Sequence, residues 1–237
     1  MIVKTLLLKL AGPLQSWGTR SHFETRHTDF YPSKSAIIGM IAAGFGYHRN
    51  DDESIAALNQ LDFAVRVDRQ GTLLRDYHTA QKYKNNGEFD RTYVTNRYYL
   101  EDAVFVVAVG HADEKWIDRI EEALRNPYYQ PFMGRRSLPL PADFILGKST
   151  KSVVDALREF PLQDSVFRKR QKKEKTLVIY ADADLMQDKV STLRKDHVQS
   201  FSQKERKFGY RSEARMQILA KQSESSTEHD AFGAIGG

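Results

Sequence analysis

Cysteine is absent from this 237-residue chain, so disulfides and cysteine-based metal sites are excluded. A chain without cysteine suits a reducing compartment, and we expect a cytoplasmic location. Long apolar runs are also missing, since none approaches the roughly 18 residues that a membrane helix needs. The first ten residues, MIVKTLLLKL, lack the basic region and cleavage site of a secretory signal. We therefore expect neither a membrane partner nor secretion.

Apolar residues make up 41% of the chain and aromatic residues 11%, which is enough for a core in one large domain. The sequence after Ala220 is polar, rich in small residues and without periodicity. Such a segment cannot bury enough apolar surface to order itself. We predict a single domain over 1–215 and a disordered tail over 216–237.

The net charge of +5 is unevenly placed. Residues 165–215 hold 14 Lys and Arg against 7 Asp and Glu, whereas the remainder holds 22 basic and 24 acidic residues. A local basic excess favours an anionic partner, most often nucleic acid, although a solvated loop is the simpler alternative. The run Arg168-Lys169-Arg170-Gln171-Lys172-Lys173 is the densest part of this excess and a candidate phosphate-binding segment.

Apolar periodicity and cap residues predict the order of elements. We expect a buried strand over Ile2–Leu10, a buried helix from the N-cap Ser33 to about Gly44 or Gly46, a half-buried strand over Phe63–Asp68, a buried strand over Ala103–Val109, and a helix capped by Asp113. Either Phe144–Leu146 or Thr176–Ala181 is available as a last strand. This order predicts an α+β fold of the ferredoxin-like, RRM-like type, βαββαβ.

The stretch 74–100 differs from its surroundings, because it is polar and aromatic with Asn85-Asn86-Gly87 near its middle. Asn-Gly is a strong hairpin-turn signal. We predict a hairpin that projects from the domain. Its basic and aromatic side chains suit phosphate contacts and base stacking, and packing against another protein is the alternative. The candidate RNA-binding residues here are Arg75, Tyr77, His78, Lys82, Lys84, Arg91, Arg97 and Tyr98.

A second group of candidates surrounds the loop after the first strand. Gln15 offers an amide to a base edge and Trp17 an indole for stacking, although Trp17 equally suits an anchor to the core. Ser33 and Lys34 begin the first helix, where free N–H groups and a cation suit a phosphate. Arg20 and Arg26 add positive charge nearby, with simple solvation as the alternative.

The third group is a glycine-led basic loop, Gly134 to Ser137, followed by Pro139. Glycine lets a backbone approach a phosphate closely, and Arg135 and Arg136 offer bidentate donors, with Ser137 beside them. A turn with two solvated arginines is the alternative. Acidic pairs such as Asp182 and Asp184 are more typical of caps and turns than of metal ligands, so we expect no metal and no cofactor.

Five blocks, in this order, resemble the CasD (Cas-five) family of type I-E CRISPR Cascade complexes. They are LAGPLQSWG at 10–18, YPSKSAIIGMI at 31–41, FAVRVD at 63–68, LRDYHT at 74–79 and YYQPFMGRRSLPL at 128–140. The resemblance implies a ferredoxin-like palm with a β-hairpin thumb. It also implies a subunit that caps the guide by gripping the 5′ handle of the CRISPR RNA, in antiviral defence, with the thumb displacing a nucleotide from pairing.

The resemblance further implies the partners: a CasC-type backbone subunit, a CasA-type large subunit and, indirectly, target DNA. In type I-E systems a separate CasE-type enzyme matures the guide, which implies a non-catalytic role. Relatives in type I-C systems cut the repeat, so a metal-independent endoribonuclease using His78 remains an alternative. An assembly protein whose basic face binds only other subunits is a third.

Overall fold

The computed structural model describes residues 3–18, 24–163, 175–187 and 189–220 of the chain. Eleven strands and four α-helices are present in these ranges, together with 3₁₀ turns at Leu58–Gln60 and Ala183–Leu185. The strands are β1 (Lys4–Ala11), β2 (Leu14–Gln15), β3 (Thr25–Arg26), β4 (Asp62–Arg69), β5 (Thr72–Tyr83), β6 (Phe89–Glu101), β7 (Val104–His111), β8 (Ile145–Ser149), β9 (Thr176–Asp182), β10 (Ser191–Ser200) and β11 (Lys207–Leu219). The helices are α1 (Lys34–Phe45), α2 (Asp52–Ala57), α3 (Glu114–Arg125) and α4 (Val153–Glu159).

Seven strands form one antiparallel sheet in the order β10-β11-β9-β4-β7-β1-β8. The interior strand β7 is buried from Val104 to Gly110 because helices cover both faces of the sheet. On one face, α1 and α3 pack on Leu8, Phe105 and their neighbours. On the other, α4 packs on Leu7, Val106 and their neighbours. The protein is thus a mixed α+β fold of three layers.

The helix ends follow the local sequence. Ser33 caps α1 by accepting a hydrogen bond from the Ala36 N–H, and Asp113 caps α3 through the Lys115 N–H. Gly46 ends α1 in the left-handed conformation, with φ 79°. Both N-caps are those that the sequence predicts. Within the described ranges, none of the helices combines the length and the hydropathy needed to cross a bilayer.

The prediction that 63–68 is half-buried is wrong, because α4 covers its polar face. Arg66 and Asp68 are buried and form a bidentate ion pair, with Arg66 Nε 2.6 Å from Asp68 Oδ1. Arg66 Nη1 also donates to the carbonyl oxygens of Leu157 and Phe160, at the end of α4. The alternation of polar and apolar residues therefore reflects a buried ion pair and not a face open to solvent.

Both candidates for the last strand are strands. Ile145–Ser149 pairs with β1 at one edge of the sheet, and Thr176–Asp182 pairs with β4 and β11. The predicted start of the tail at 216 is too early, because Met216–Leu219 complete β11 and pair with Thr176–Ile179. Local sequence does not show this pairing, since the partner strand lies about 40 residues earlier. The rest of the predicted tail, 221–237, is outside the described residues.

A long hairpin occupies the stretch predicted over 74–100. Its strands β5 and β6 pair antiparallel from Thr72↔Glu101 to Tyr83↔Phe89, with the turn at Asn85-Asn86-Gly87. They lie outside the seven-stranded sheet and belong to a smaller one, in which β6 also pairs with β2 and β3. The base of the hairpin is thereby joined to the loop after β1.

Candidate nucleic-acid interface

Most of the hairpin is open to solvent on both faces, although Thr95, Tyr99 and Leu100 are buried towards its base. Every residue of β5 except Asp76 is exposed. Because side chains alternate across a strand and paired residues share a face, the register divides the hairpin into two surfaces. The Tyr77 face carries Arg75, Tyr77, Asn96 and Tyr98, and the His78 face carries Asp76, His78, Lys82, Arg91, Tyr93 and Arg97.

The Tyr77 face presents planar groups beside a cation. Tyr77 is 61% exposed, and Arg75 Nε donates to Asn96 Oδ1 at 3.0 Å. The ring of Tyr98 stacks on His27, with centroids 5.4 Å apart and an interplanar angle of 12°. This arrangement offers stacking surfaces to bases. Sequence reasoning missed His27, because its place beside Tyr98 depends on the short parallel pairing of β3 with β6.

The His78 face is more strongly charged. Lys82 and Arg91 both approach Asp90, at 3.1 and 3.8 Å, and Arg91 also lies over the Tyr93 ring, 5.1 Å from its centroid. Lys84 pairs with Glu88 across the turn at 3.3 Å. Three of the predicted cations therefore already have carboxylate neighbours at exposed positions, where such pairs are weak and a phosphate can compete.

The positions of Tyr77, His78 and Lys82 on the hairpin argue against the ribonuclease alternative. Tyr77 and His78 lie on opposite faces, because they are adjacent on an extended strand. Lys82 shares the His78 face but is four residues away, about 13 Å along the strand. A proton-transfer site needs its groups within hydrogen-bond reach of one substrate position. The sequence neighbours of His78 do not converge on one.

The loop Gly134–Ser137 is anchored to the base of the hairpin. Gly134 has φ 85°, and a Cβ at this position would lie 1.6 Å from the carbonyl oxygen of Ser16. Arg135 Nη2 donates to the carbonyl oxygens of Tyr98 (3.0 Å) and Arg26 (3.3 Å). Its Cζ lies 4.1 Å from the centroid of the Tyr99 ring. The loop therefore joins three segments at this point.

Arg136 and Ser137 are exposed beside this anchor, and so is Arg26 on β3. Arg135 itself is only partly exposed, and its Nη1 is buried without a hydrogen-bond partner among the described residues. Of the two adjacent arginines, Arg135 fixes the loop and Arg136 faces solvent. Arg97 is likewise partly buried, with its Nε lacking a partner in the same ranges.

The expectation that Gln15 and Trp17 contact RNA is contradicted by their burial. Gln15 is 0% and Trp17 2% exposed. Gln15 Nε2 donates to the carbonyl oxygen of Ala103 at 2.8 Å, and Trp17 Nε1 donates to Gln15 Oε1 at 3.1 Å. Both polar groups are thus used within the protein, and the alternative of an anchor to the core holds for Trp17.

The predicted phosphate site at the start of α1 is also contradicted. Ser33 and Lys34 are buried. The Lys34 N–H donates to Asp196 Oδ2 at 3.0 Å, and its Nζ lies 2.8 Å from Asp182 Oδ2. A cation in the first turn of a helix is unfavourable unless an anion lies nearby. Here two carboxylates of the same chain supply that negative charge.

Those carboxylates belong to a buried ionic cluster between α1 and the last strands. Arg211 pairs with Asp182 (3.0 Å), Asp196 (2.7 Å) and Glu213 (2.6 Å). Burial by itself lowers the pKa of Arg211, but the attraction of Asp196 and Glu213 outweighs burial, so the pKa is raised. The cluster fixes β10 and β11 against the N-terminus of α1.

Tyr31 extends this ionic cluster. Its hydroxyl donates to Glu213 Oε2 at 2.6 Å, and its ring stacks on Tyr180 with centroids 3.8 Å apart. The guanidinium of Arg194 also lies over the Tyr31 ring, with its Cζ 4.3 Å from the ring centroid. Burial raises the pKa of Tyr31, and the Glu213 carboxylate raises it further, against the opposing effect of Arg194.

A cleft of about 400 Å³ lies beside the cluster, lined in part by Lys34, Asp62, Asp182 and Asp184. Burial raises the pKa of Asp62, and the charges of Asp182 and Asp184 add to this effect. In the described ranges, no three His, Asp or Glu side chains lie close enough to hold a metal ion. Arg20 and the run Arg168–Lys173 lie outside the described residues.

The fold and the surface together define a mixed α+β protein that carries a basic and aromatic hairpin outside its main sheet. The chain belongs to the CRISPR-associated protein (Cas_Cas5) family, whose model matches residues 5–213. It is 39% identical over 157 residues to the CRISPR system Cascade subunit CasD of Escherichia coli (strain K12), which is 60% of this chain and 70% of that protein.

Two solved structures are similar along nearly the whole chain. One is a chain of a CRISPR RNA-guided surveillance complex, with 34% identity, a TM-score of 0.76, and coverage of 91% of this chain and 90% of the other. The second is described as a Cas protein, with 28% identity, a TM-score of 0.64, and coverage of 92% and 95%. The family resemblance inferred from the five sequence blocks is therefore confirmed.

Proposed function

We propose that this chain is a type I-E Cascade subunit that caps the guide by binding the 5′ handle of the CRISPR RNA. Its membership of the family supports this assignment, together with its similarity to a Cascade subunit and to a chain of an RNA-guided surveillance complex. The observation that carries the proposal is the exposed Tyr77 face, continued by His27, Arg26, Arg136 and Ser137 at the base of the hairpin.

The chemistry of this surface suits an RNA strand. Aromatic rings at Tyr77, Tyr98 and His27 offer stacking to bases, and Arg75 and Arg136 offer charge to phosphates. Arg135 binds backbone carbonyls and holds Arg136 beside the hairpin. A single-stranded handle can follow such a surface, because its bases are free to splay out and its phosphates remain on one side.

In this proposal the palm consists of four adjacent strands and two helices. The order β8-β1-β7-β4, with α1 after β1 and α3 after β7, is the order expected for a ferredoxin-like βαββαβ unit. The hairpin β5–β6 is inserted between β4 and β7 and serves as the thumb. The strands β9, β10 and β11 extend the sheet beyond β4.

The proposed role is non-catalytic, and the separation of Tyr77 from His78 across the hairpin supports it. The proposed partners are the 5′ handle, a CasC-type backbone subunit, a CasA-type large subunit and, through the complex, target DNA. A complex of this kind acts on invading nucleic acid inside the cell, so the proposed location is the cytoplasm. The exposed apolar side chains of the hairpin, among them Leu73 at 48% and Phe89 at 53%, leave area for protein partners as well.

The test is binding and integrity of RNA in one experiment. The purified full chain is incubated with end-labelled repeat RNA in chelator and analysed on native and denaturing gels, with a scrambled strand as competitor. An intact strand, retained in preference to the scrambled one, is expected. A discrete product that disappears in His78→Ala would instead identify a ribonuclease. Equal retention of both strands would favour the alternative of an assembly protein with a basic face.

A further inference from the structure

The turn between β10 and β11 carries a second basic cluster, on a different sheet from the hairpin. It consists of Lys204 and Arg206 in the turn and Arg49 in the connection between α1 and α2. We call these three residues the Arg206 cluster. Arg49 and Lys204 are exposed, and Arg206 is exposed in part. They lie outside the two faces of the hairpin and the loop Gly134–Ser137.

The position of Arg206 is set by two aromatic rings. Phe201 packs against Gly39 of α1, where a Cβ would lie 3.4 Å from Phe201 Cζ. Phe208 meets Phe201 edge to face, with centroids 6.1 Å apart and an angle of 70°. The Cζ of Arg206 lies 5.0 Å from the Phe208 centroid and 5.8 Å from that of Phe201. The guanidinium is thereby held in place at the surface.

The three cations of this cluster differ from the other arginines nearby in having no carboxylate as an ion-pair partner among the described residues. Glu205 pairs with Lys207 at 2.7 Å. Partial burial lowers the pKa of Arg206, and the neighbouring charge of Arg49 lowers it further. Arg211 and Arg194 lie among several carboxylates instead. Two like charges held together without an ion-pair partner favour an added anion.

We propose that Arg49, Lys204 and Arg206 bind a phosphate of a nucleic-acid backbone outside the handle interface. Arginine binds phosphate oxygens with two parallel hydrogen bonds, and an arginine already held by aromatic rings loses little side-chain entropy on doing so. Contacts of this kind fix the position of a strand without reading its sequence. The phosphate belongs to a single-stranded guide or to a DNA duplex, and the proposal does not rest on handle recognition.

The experiment measures how the dissociation constant depends on salt, with the full chain and two probes. One probe is a 20-nucleotide RNA without handle sequence, and the other is a 20-base-pair DNA duplex. Arg206→Gln is compared with Lys115→Gln, which removes one exposed positive charge from α3. Loss of one phosphate contact is expected to lower the slope of log K against log salt by about 0.7 for the single strand or about 0.9 for the duplex.

The probe whose slope falls in Arg206→Gln, but not in Lys115→Gln, identifies the source of the phosphate. Unchanged slopes for both probes would overturn the proposal. Arg49→Gln gives a second measurement that does not disturb the aromatic rings, and Arg206→Lys retains the charge and is expected to retain the slope. If the wild-type chain shows no preference for handle RNA while these slopes still fall, the proposed function fails and this site stands.

Discussion

The indole Nε1 of Trp17 donates a hydrogen bond to the side-chain oxygen of Gln15 at 3.1 Å, in the interior of the protein. The amide nitrogen of Gln15 in turn donates to the carbonyl oxygens of Leu10 (3.3 Å) and Ala103 (2.8 Å). These bonds fasten the loop after β1 to the start of β7. The loop then supports the base of the hairpin, because Ser16 Oγ donates to the carbonyl oxygen of Tyr98 at 3.3 Å.

Trp17→Ala is therefore expected to lower stability, and to affect RNA binding only through the fold. Removing a buried tryptophan typically costs about 3–5 kcal/mol. Urea denaturation of the variant measures this change. Tyr77→Ala, at a side chain that is 61% exposed, is the control and should change the free energy of unfolding by less than about 0.5 kcal/mol. A stable Trp17→Ala protein with weakened RNA binding would contradict the assignment.

Gly134→Ala is expected to disrupt the junction between the basic loop and the hairpin. The new Cβ would overlap the carbonyl oxygen of Ser16, at 1.6 Å, so one of the two loops must move. Gly87→Ala at the hairpin turn is a matched control, because Gly87 has the same φ of 85° and nothing within 4 Å of its Cβ position. It should show only the left-handed backbone cost of about 1–2 kcal/mol. A similar cost and unchanged handle affinity in both variants would disprove the junction.

The two adjacent arginines are expected to behave differently when each is replaced by glutamine. Arg136→Gln should leave the melting temperature unchanged and lower the salt slope of handle binding by about 0.7. Arg135→Gln, by contrast, should lower the melting temperature, because it removes hydrogen bonds to the carbonyl oxygens of Tyr98 and Arg26. Salt titration and thermal unfolding of both variants measure these effects. Equal melting temperatures would show that Arg135 is not an anchor.

Asp196→Ala is expected to destabilise the protein strongly, since it removes a carboxylate from a buried arginine. Breaking such a pair typically costs about 3–5 kcal/mol. Asp184→Ala is the control, because it also removes a carboxylate, but at an exposed position. The charge of Asp184 is among the causes that raise the pKa of Asp62. Denaturant unfolding at neutral pH compares them. A small loss in Asp196→Ala would mean that the ionic cluster does not fix β10 and β11.

Stability should fall as the pH rises above about 10, through Tyr31. Burial raises the pKa of Tyr31 in the folded protein, whereas in the unfolded chain it titrates near 10. Between these two values the unfolded chain releases a proton that the folded protein keeps, so unfolding becomes more favourable by up to about 1.4 kcal/mol per pH unit. Tyr31→Phe should have a shallower dependence over pH 9–11. Identical slopes for the two proteins would contradict the raised pKa.

Much of the fold follows from local sequence. Ser33 and Asp113 accept hydrogen bonds from backbone groups two or three residues away, so a cap can be found in a short window. The hairpin turn is likewise a local feature, because Gly87 adopts the positive φ that such a turn requires. The place of β9 and the true end of β11 were not predictable in this way, because their pairing joins residues far apart in the chain.

The sequence by itself determined the order of the first elements, the hairpin with its basic and aromatic residues, and the family. The tertiary structure decided which charges and rings remain available to a ligand. Lys34 is neutralised by carboxylates about 150 residues away, and Trp17 is buried against the core, whereas Arg206 keeps its charge unpaired among the described residues. The reason is physical: a charge or a ring that the fold buries against a partner of the same chain is withdrawn from ligands, whereas an exposed one remains available even beside a weak surface partner.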